Sequence, residues 1–297
     1  VSEKTPNESR RAGIVALAGA PNVGKSTLLN QVLGRHLSIA TAKPQTTRTR
    51  IQGVATRDQV QIVFTDTPGI HRIEGAVHQR MVERARSEIR GADVICWLVT
   101  ADRGLVGLDR SELQQLREQS LVVVINKMDL VPREALLPIM AEISKLAPAA
   151  ECFPVSALRG RGVVELVDYL VSVMPEGPWL YPTASATDRP LEFLAAEYVR
   201  EQVFEQLDQE VPYHVAVKTD VFQKRGSKTY VEASIYTDSP SSKKILVGKE
   251  GARVKSIGMA ARKRIEDLVE GPVYLQLQVR VKEDWQEDER FLEDLGL

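Results

Sequence analysis

Residues Gly19–Ser26 read GAPNVGKS, set between the apolar run IVALAG and the start of a helix-like stretch. A GxxxxGK[ST] pattern at a strand-to-helix junction is a phosphate-binding loop. Glycines at both ends let the backbone wrap a pyrophosphate with its N–H groups turned inward. Lys25 reaches the β and γ phosphates, Ser26 offers a hydroxyl to Mg2+, and the helix N-terminus adds positive potential. Gly19, Ala20, Pro21, Asn22, Val23, Gly24 and Thr27 complete this cradle.

Three further motifs follow at strand ends. DTPG, Asp66–Gly69, ends the run QIVFT, so Asp66 is placed to hold the Mg2+ shell. Gly69 has an N–H able to sense the γ phosphate, and Thr67 and Pro68 lie between them. NKMD, Asn126–Asp129, follows VVVI; Asp129 is placed to accept from N1–H and the exocyclic amine of guanine, an arrangement adenine cannot satisfy. Asn126 braces the phosphate loop, and Lys127 covers the base with its alkyl stem. Ser156, Ala157 and Leu158 end the next apolar run, where a backbone N–H can meet guanine O6. The bound nucleotide is therefore read as GTP or GDP.

Outward from these motifs, IVALAG, QIVFTD, DVICWLV, SLVVVINK and ECFPVSA alternate with helix-length spacers at Val77–Arg90, Arg110–Glu118, Arg133–Leu146 and Val163–Val173. Apolar β-branched runs spaced by helices predict a mainly parallel sheet covered on both faces, an α/β fold. Residues 1–12 form a polar lead-in and residues 13–174 the nucleotide-binding domain. Four prolines fall within MPEGPWLYPTASATDRP, which places a linker at 175–189. A second α/β domain occupies 190–297, with an amphipathic helix over Pro190–Leu207, two strands joined through Gly226, the turn GKEG, a helix and a last strand. Val254, Ile257, Ala261, Ile265 and Leu268 make one apolar stripe on that helix.

The whole chain of 297 residues carries 39 basic and 40 acidic residues, a net charge of -1. That balance hides a patch: Lys243, Lys244, Lys249, Arg253, Lys255, Arg262, Lys263 and Arg264 face a single acid, Glu250, between Lys243 and Arg264. Such a local field suits an anionic partner. Gly248–Gly251 is a GxxG turn inside it, where close backbone approach and cationic flanks suit a clamp on about four unpaired nucleotides. Candidate RNA-binding residues are therefore Lys243, Lys244, Gly248, Lys249, Glu250, Gly251, Arg253, Lys255 and Arg262. Apolar residues make up 43% of the chain without a run long enough for a transmembrane helix. VSEKTPNESRR has no hydrophobic run behind its charges and does not read as a secretory signal. Cys96 and Cys152 form no CxxC pair, read as small buried hydrophobes, and give no metal site. Trp179 and Trp285 read as packing anchors, and His36 and His214 have no partner motif.

GAPNVGKS, PQTTRTR, DTPG, NKMD and SAL together resemble the GTPase domain of the Era family of bacterial ribosome-assembly GTPases. ILVGKEGARVKSIG resembles that family's C-terminal type II KH domain, and the likeness covers roughly Gly13 to Leu297. The resemblance implies GTP hydrolysis, with Lys25, Thr47, Asp66 and Gly69 as the catalytic set. It places Thr46 and Thr47 in the first switch, Thr47 preferred over Thr46 as the Mg2+ ligand beside Ser26, and it runs the second switch from Asp66 through His71–His78. Related GTPases use K+ near the phosphates, with Asn22 at the ligating position. Ile70 stands after DTPG, so no glutamine there orients water, Gln79 lies too far along for that role, and slow turnover is expected. The resemblance also implies binding to the 3′ end of small-subunit (16S) ribosomal RNA, action in maturation of the 30S subunit or its precursor, and a monomer in the cytoplasm with peripheral inner-membrane association. This chain has SPSSKK at Ser239–Lys244 where family members tend to carry an SQK-like run, and Glu250 is negative inside the turn. Competing readings are a P-loop kinase, a GTPase acting on another structured RNA, and an RNA-binding protein that holds nucleotide with negligible hydrolysis.

Overall fold

The structure is a computed structural model that describes residues 10–41, 43, 46–67, 69, 76–105, 120–183, 185–208 and 210–297, apart from the side chains of 76–81 and 84. The expected helix at Arg110–Glu118 and the candidate residues Pro68, Ile70 and His71 lie outside these residues, as do the side chains of His78 and Gln79.

Two compact units divide the chain. The first holds a six-stranded sheet in the order β2-β3-β1-β4-β5-β6, formed by β1 (Arg11–Gly19), β2 (Ile51–Arg57), β3 (Val60–Asp66), β4 (Val94–Thr100), β5 (Ser120–Asn126) and β6 (Glu151–Pro154). Every pairing is parallel except β2 with β3. Near-continuous apolar strands such as VICWLVT suit a sheet buried on both faces. Ala16, Ala18, Ile95, Trp97, Val99, Val123 and Ile125 line one face, packing with Ile89 of α2 (Ala76–Arg90) and Leu136 and Ile143 of α3 (Leu136–Leu146). Alternate residues, among them Val15 and Leu17, are buried from the other side, as are Leu28 and Leu29 of α1 (Lys25–Leu33) and Leu166 and Leu170 of α4 (Val163–Val173).

Strand β2 is absent from the sequence reading. IQGVATR is short, polar at one end and interrupted by Gly53, so it carries little periodic signal. Its register comes from a hairpin through Asp58, which adopts the left-handed region at φ 53°.

The reading of 175–189 as a linker also differs from the structure, because this segment is hydrogen-bonded to the first unit. Ala12 N–H donates to Pro175 O at 3.1 Å, and Val54 N–H to Ala186 O at 2.9 Å. The Gln61 amide oxygen accepts from the amides of Leu180 and Tyr181, each at 2.9 Å, and Trp179 Nε1 donates to Gln59 O at 3.2 Å. The compact units divide at Asp188/Arg189.

The second unit comprises Arg189–Leu297 together with Ile39–Thr46 and Gly75–His78. Its sheet, β7 (Val215–Arg225), β8 (Lys228–Thr237) and β9 (Val273–Val281), is ordered β7-β8-β9, antiparallel then parallel. On it lie α5 (Leu191–Gln206), α6 (Pro240–Val247) and α7 (Ala252–Val269), and Ile257, Ala261 and Ile265 of the expected stripe are fully buried. The expected amphipathic helix is instead buried without interruption from Leu194 to Phe204. Its polar residues need partners there, and Arg200 donates to both carboxylate oxygens of Glu197, at 2.8 and 2.6 Å. After β9, Trp285 is buried with Leu292 and Leu297 against Ala216, its indole N–H on His214 O at 3.1 Å. Residues Glu289–Asp294 form α8, which the sequence reading omits. His214, read as structural or exposed, lies with Nδ1 2.8 Å from Asp238 Oδ2.

Candidate functional site

The phosphate loop turns into α1 through Gly24, a left-handed N-cap at φ 98°. A Cβ at Gly24 would sit 2.2 Å from Asn126 Nδ2, so only glycine allows the loop to lie against the NKMD motif. Asn126 stitches three motifs together. Its Nδ2 donates to Val23 O at 2.8 Å, and its Oδ1 accepts from Lys127 N at 2.8 Å and Ala157 N at 3.0 Å. The expected bracing role is met and extended to the SAL loop. Pro21 lies close to Gly69. Between Ala20–Val23, Trp97–Thr100 and Lys127 a small pocket opens. Asn22 stands in the left-handed region at φ 61°.

Lys25 is 6% exposed, its ammonium held by Gly19 O and Ala20 O at 3.0 Å each. Burial lowers its pKa to about 8, against the opposing pull of Asp66. Asp66, at the end of β3, is fully buried, and burial raises its pKa while the Ser26 and Ser38 hydroxyls and Lys25 oppose the rise. Its Oδ2 accepts from Ser26 Oγ and Ser38 Oγ, both at 2.6 Å. Its Oδ1 is buried with no hydrogen-bond partner among the described residues, an acceptor left over for a ligand. Ser26 Oγ also lies 3.0 Å from Thr47 Oγ1. Thr46 is turned elsewhere, its hydroxyl on Thr41 Oγ1 at 2.6 Å and Lys43 O at 2.9 Å. The oxygens of Ser26, Thr47 and Asp66 thus form one hard-donor cluster suited to Mg2+. Thr67 Oγ1 donates to Leu17 O at 2.8 Å, and so fixes the strand end.

In the NKMD motif, Asp129 is partly buried and held below the usual carboxylate range, first by the Ser156 hydroxyl, then by hydrogen bonds from its own backbone and from Arg159. Arg159 Nε donates to Asp129 Oδ2 at 3.2 Å. In the SAL loop the Ser156 amide binds Arg161 O and the Ala157 amide binds Asn126, whereas Leu158 is exposed. Sequence reasoning passed over Ser38 and Arg159: neither belongs to a short motif, and only the fold brings their side chains to Asp66 and Asp129. Burial pushes the thiols of Cys96 and Cys152 up to about 12 and about 11, so neither is a nucleophile at neutral pH.

In the second unit, α6 begins at Ser239, whose hydroxyl accepts from Ser242 N–H, with Pro240 in the first turn. The SPSSKK departure is thus a helix start. The GxxG turn follows with three left-handed residues, Gly248 (φ 72°), Glu250 (φ 52°) and Gly251 (φ 77°). A Cβ at Gly248 would meet Arg253 Cβ at 2.8 Å; at Gly251 it would meet open space. Lys243, Lys244, Lys249, Glu250, Arg253, Lys255 and Arg262 are all exposed. Arg262 spends part of its charge on Glu266, 3.8 Å away. Ile245 and Met259, on α6 and α7, are exposed at 44% and 58%, giving an apolar element beside the cations.

Comparison with known proteins agrees with both halves. Residues 14–127 match the family model described as a 50S ribosome-binding GTPase, and residues 210–286 match a KH domain model. GTPase Era of Geotalea uraniireducens is 44% identical over 289 residues, spanning 96% of this chain and 97% of its own. GTPase Era of Clostridium kluyveri is 40% identical over 289 residues, spanning 96% and 99%. The fold matches a crystal structure of Era in complex with MgGDPNP and nucleotides 1506–1542 of 16S ribosomal RNA, with TM-score 0.92, 38% identity, and 97% and 99% of the two chains covered. An Aquifex aeolicus Era variant bound to GDP·AlF4− gives the same TM-score and identity over 96% and 99%.

Proposed function

Since this chain belongs to the Era family of GTPases and is a GTP-hydrolysing enzyme, we propose that it couples that hydrolysis to binding of the 3′ end region of 16S ribosomal RNA during maturation of the 30S subunit. The observation that carries this reading is the GxxG turn. It stands open among exposed cations, in a chain whose fold follows over 97% of its length an Era that holds that RNA segment. Gly248 and Gly251 let a strand pass close to the backbone, Lys243, Lys244, Lys249, Arg253 and Lys255 hold its phosphates, and Ile245 and Met259 meet its bases.

In the GTPase unit, Lys25 and the amides of the phosphate loop neutralise charge that spreads over the γ-phosphoryl group as water attacks. Ser26 and Thr47 hold Mg2+, and Asp66 Oδ1 accepts from its water shell. Bound there, Mg2+ supplies Lewis-acid stabilisation of the phosphate oxygens. Asn22 would hold K+, whose charge would add to that stabilisation; single-turnover hydrolysis slower in NaCl than in KCl is the expected sign. Asp129 accepts the two guanine donors and a backbone amide of the SAL loop meets O6. With isoleucine at position 70, water is positioned by switch backbone and intrinsic turnover is slow. The protein acts as a monomer in the cytoplasm, with a peripheral inner-membrane pool; no described helix is long and apolar enough to cross a membrane.

The test is titration of a 16S 3′-end oligonucleotide against the full chain with GTP analogue bound, alongside Gly251→Asp. Space at Gly251 is open, so this variant adds bulk and charge in the path of the strand without a steric clash. Loss of RNA binding with GTP binding retained is expected; parental RNA affinity in the folded variant would place the RNA surface elsewhere.

A further inference from the structure

Two hydroxyls converge on one oxygen of Asp66. Ser26 Oγ, from the first turn of α1, and Ser38 Oγ, from the loop after that helix, each donate to Oδ2 at 2.6 Å. A carboxylate oxygen has two lone pairs, so Oδ2 is saturated. Oδ1 is the oxygen left without a hydrogen-bond partner among the described residues. Ser38 is fully buried, as is Asp66. A hydroxyl at that depth costs free energy unless it is bonded, and Asp66 is the acceptor that offsets the cost.

Ser38 is held in turn from α1. Asn30 Oδ1 accepts from the Leu37 amide at 2.8 Å and the Ser38 amide at 2.9 Å, and Asn30 Nδ2 donates to Ser38 O at 2.6 Å. One side chain thus fixes both backbone groups of Ser38. Asn30 stands four residues after Ser26, on the same face of the helix. Both donors to Oδ2 are therefore referenced to one rigid element, and all of these residues lie in the first unit. The two donors differ in their tasks: Ser26 also belongs to the Mg2+ ligand set, whereas Ser38 serves Asp66 alone. We propose that Ser38, clamped by Asn30, is a positioning residue for Mg2+. With Ser26 it fixes the rotation of the Asp66 carboxylate and so keeps Oδ1 as the acceptor for the metal's water shell. The inference rests on the reading of Asp66 as that acceptor.

Without Ser38, Oδ2 keeps only Ser26 and the carboxylate can turn about its Cβ–Cγ bond. Release of a fluorescent GDP analogue from the full-length protein, titrated with Mg2+, measures the consequence. Ser38→Ala should raise the Mg2+ midpoint about tenfold, the usual cost of losing a group that orients a metal's partner. GDP affinity in EDTA should stay within about twofold of the parent, because the phosphate loop and NKMD are untouched. Single-turnover hydrolysis should be slow at low Mg2+ and return to within about twofold of the parent in excess Mg2+. An unchanged midpoint overturns the proposal, as does a loss of GDP affinity in EDTA as large as the midpoint shift, which is the sign of a packing defect. Asn30→Ala, which releases the Ser38 backbone, should move the midpoint the same way by about threefold. Should Ser38→Ala lose its native circular dichroism, Ser38→Cys serves instead: its thiol is a weak donor of similar size and should raise the midpoint about threefold, while an unchanged midpoint overturns the proposal. Asp66→Asn measured in parallel separates the two readings. If it keeps the parental midpoint the metal assignment fails; if its midpoint rises while that of Ser38→Ala does not, only the positioning role fails.

Discussion

Two helices in this molecule begin in the same way and serve opposite ends. Helix α1 starts from Gly24 and α7 from Gly251, each a left-handed glycine N-cap with no side-chain cap. At Gly24 the missing side chain is replaced by protein, Asn126 Nδ2 lying where a Cβ would be; at Gly251 it is replaced by nothing. The first turn is sealed among buried, mutually bonded groups, which favours selection of one ligand by its hydrogen-bond pattern. The second faces outward among exposed charges, which favours strong attraction with little discrimination. Local backbone geometry does not separate the two roles; the surroundings do.

The largest expected effect lies on the sealed side. Asp129→Asn should weaken GTP binding by roughly 2–4 kcal/mol, as two charge-assisted bonds are lost, and xanthosine triphosphate should recover part of it. Calorimetry that finds equal GTP affinity in variant and parent would break the assignment.

The glycines themselves give the next contrast. Gly24→Ala, both strained and overlapping Asn126, should cost about 2–3 kcal/mol in nucleotide binding or stability, whereas Gly251→Ala should cost about 1 kcal/mol from backbone strain alone. Denaturation curves for the pair measure the gap; similar losses would mean that enclosure is not what distinguishes them.

A pH effect of about tenfold follows from Lys25. Burial favours its neutral form, with a pKa of about 8, while bound phosphates favour the cation. Nucleotide binding above pH 8 must then take up a proton, so GDP affinity should fall about tenfold between pH 7 and 9. For folding the sign is opposite: the unfolded chain binds the extra proton, so this group's burial penalty is full below pH 8 and is relieved as pH rises toward the ordinary lysine value of 10.5. Calorimetry in buffers of different ionisation enthalpy checks the uptake, and a flat profile would contradict it.

The smallest effect is on the open side. Lys249→Glu should lower the slope of log RNA affinity against log salt by about 0.7, the value for one single-strand phosphate contact. An unchanged slope across three KCl concentrations would remove Lys249 from the RNA path.

The nucleotide motifs were legible because each is short, contiguous and tied to a strand end: Lys25, Asp66 and Asn126 stand where their spacing put them. Five of the six strands of the first sheet were legible from apolar runs, as was the stripe of α7. What escaped reading depends on partners distant in sequence. β2 owes its place to pairing with β3, Ser38 matters because of Asp66, Arg159 because of Asp129, and the burial of Glu201 is invisible in a helix of mixed composition. Thr46 and Thr47 are indistinguishable in PQTTRTR; their directions differ only once Thr41 and Ser26 are in place.

The stretch 175–189 has one more consequence. Strand β2 is the last of its sheet, and its outer side would otherwise offer unpaired backbone groups to any passing chain. Thr187 bridges to Gly53, and the Ala186 carbonyl takes the Val54 amide, so the segment works as a sacrificial cover over a sticky margin. A GTPase fragment cut after Val173 would be bared along that margin and prone to clump, while one carried to Asp188 would stay dispersed.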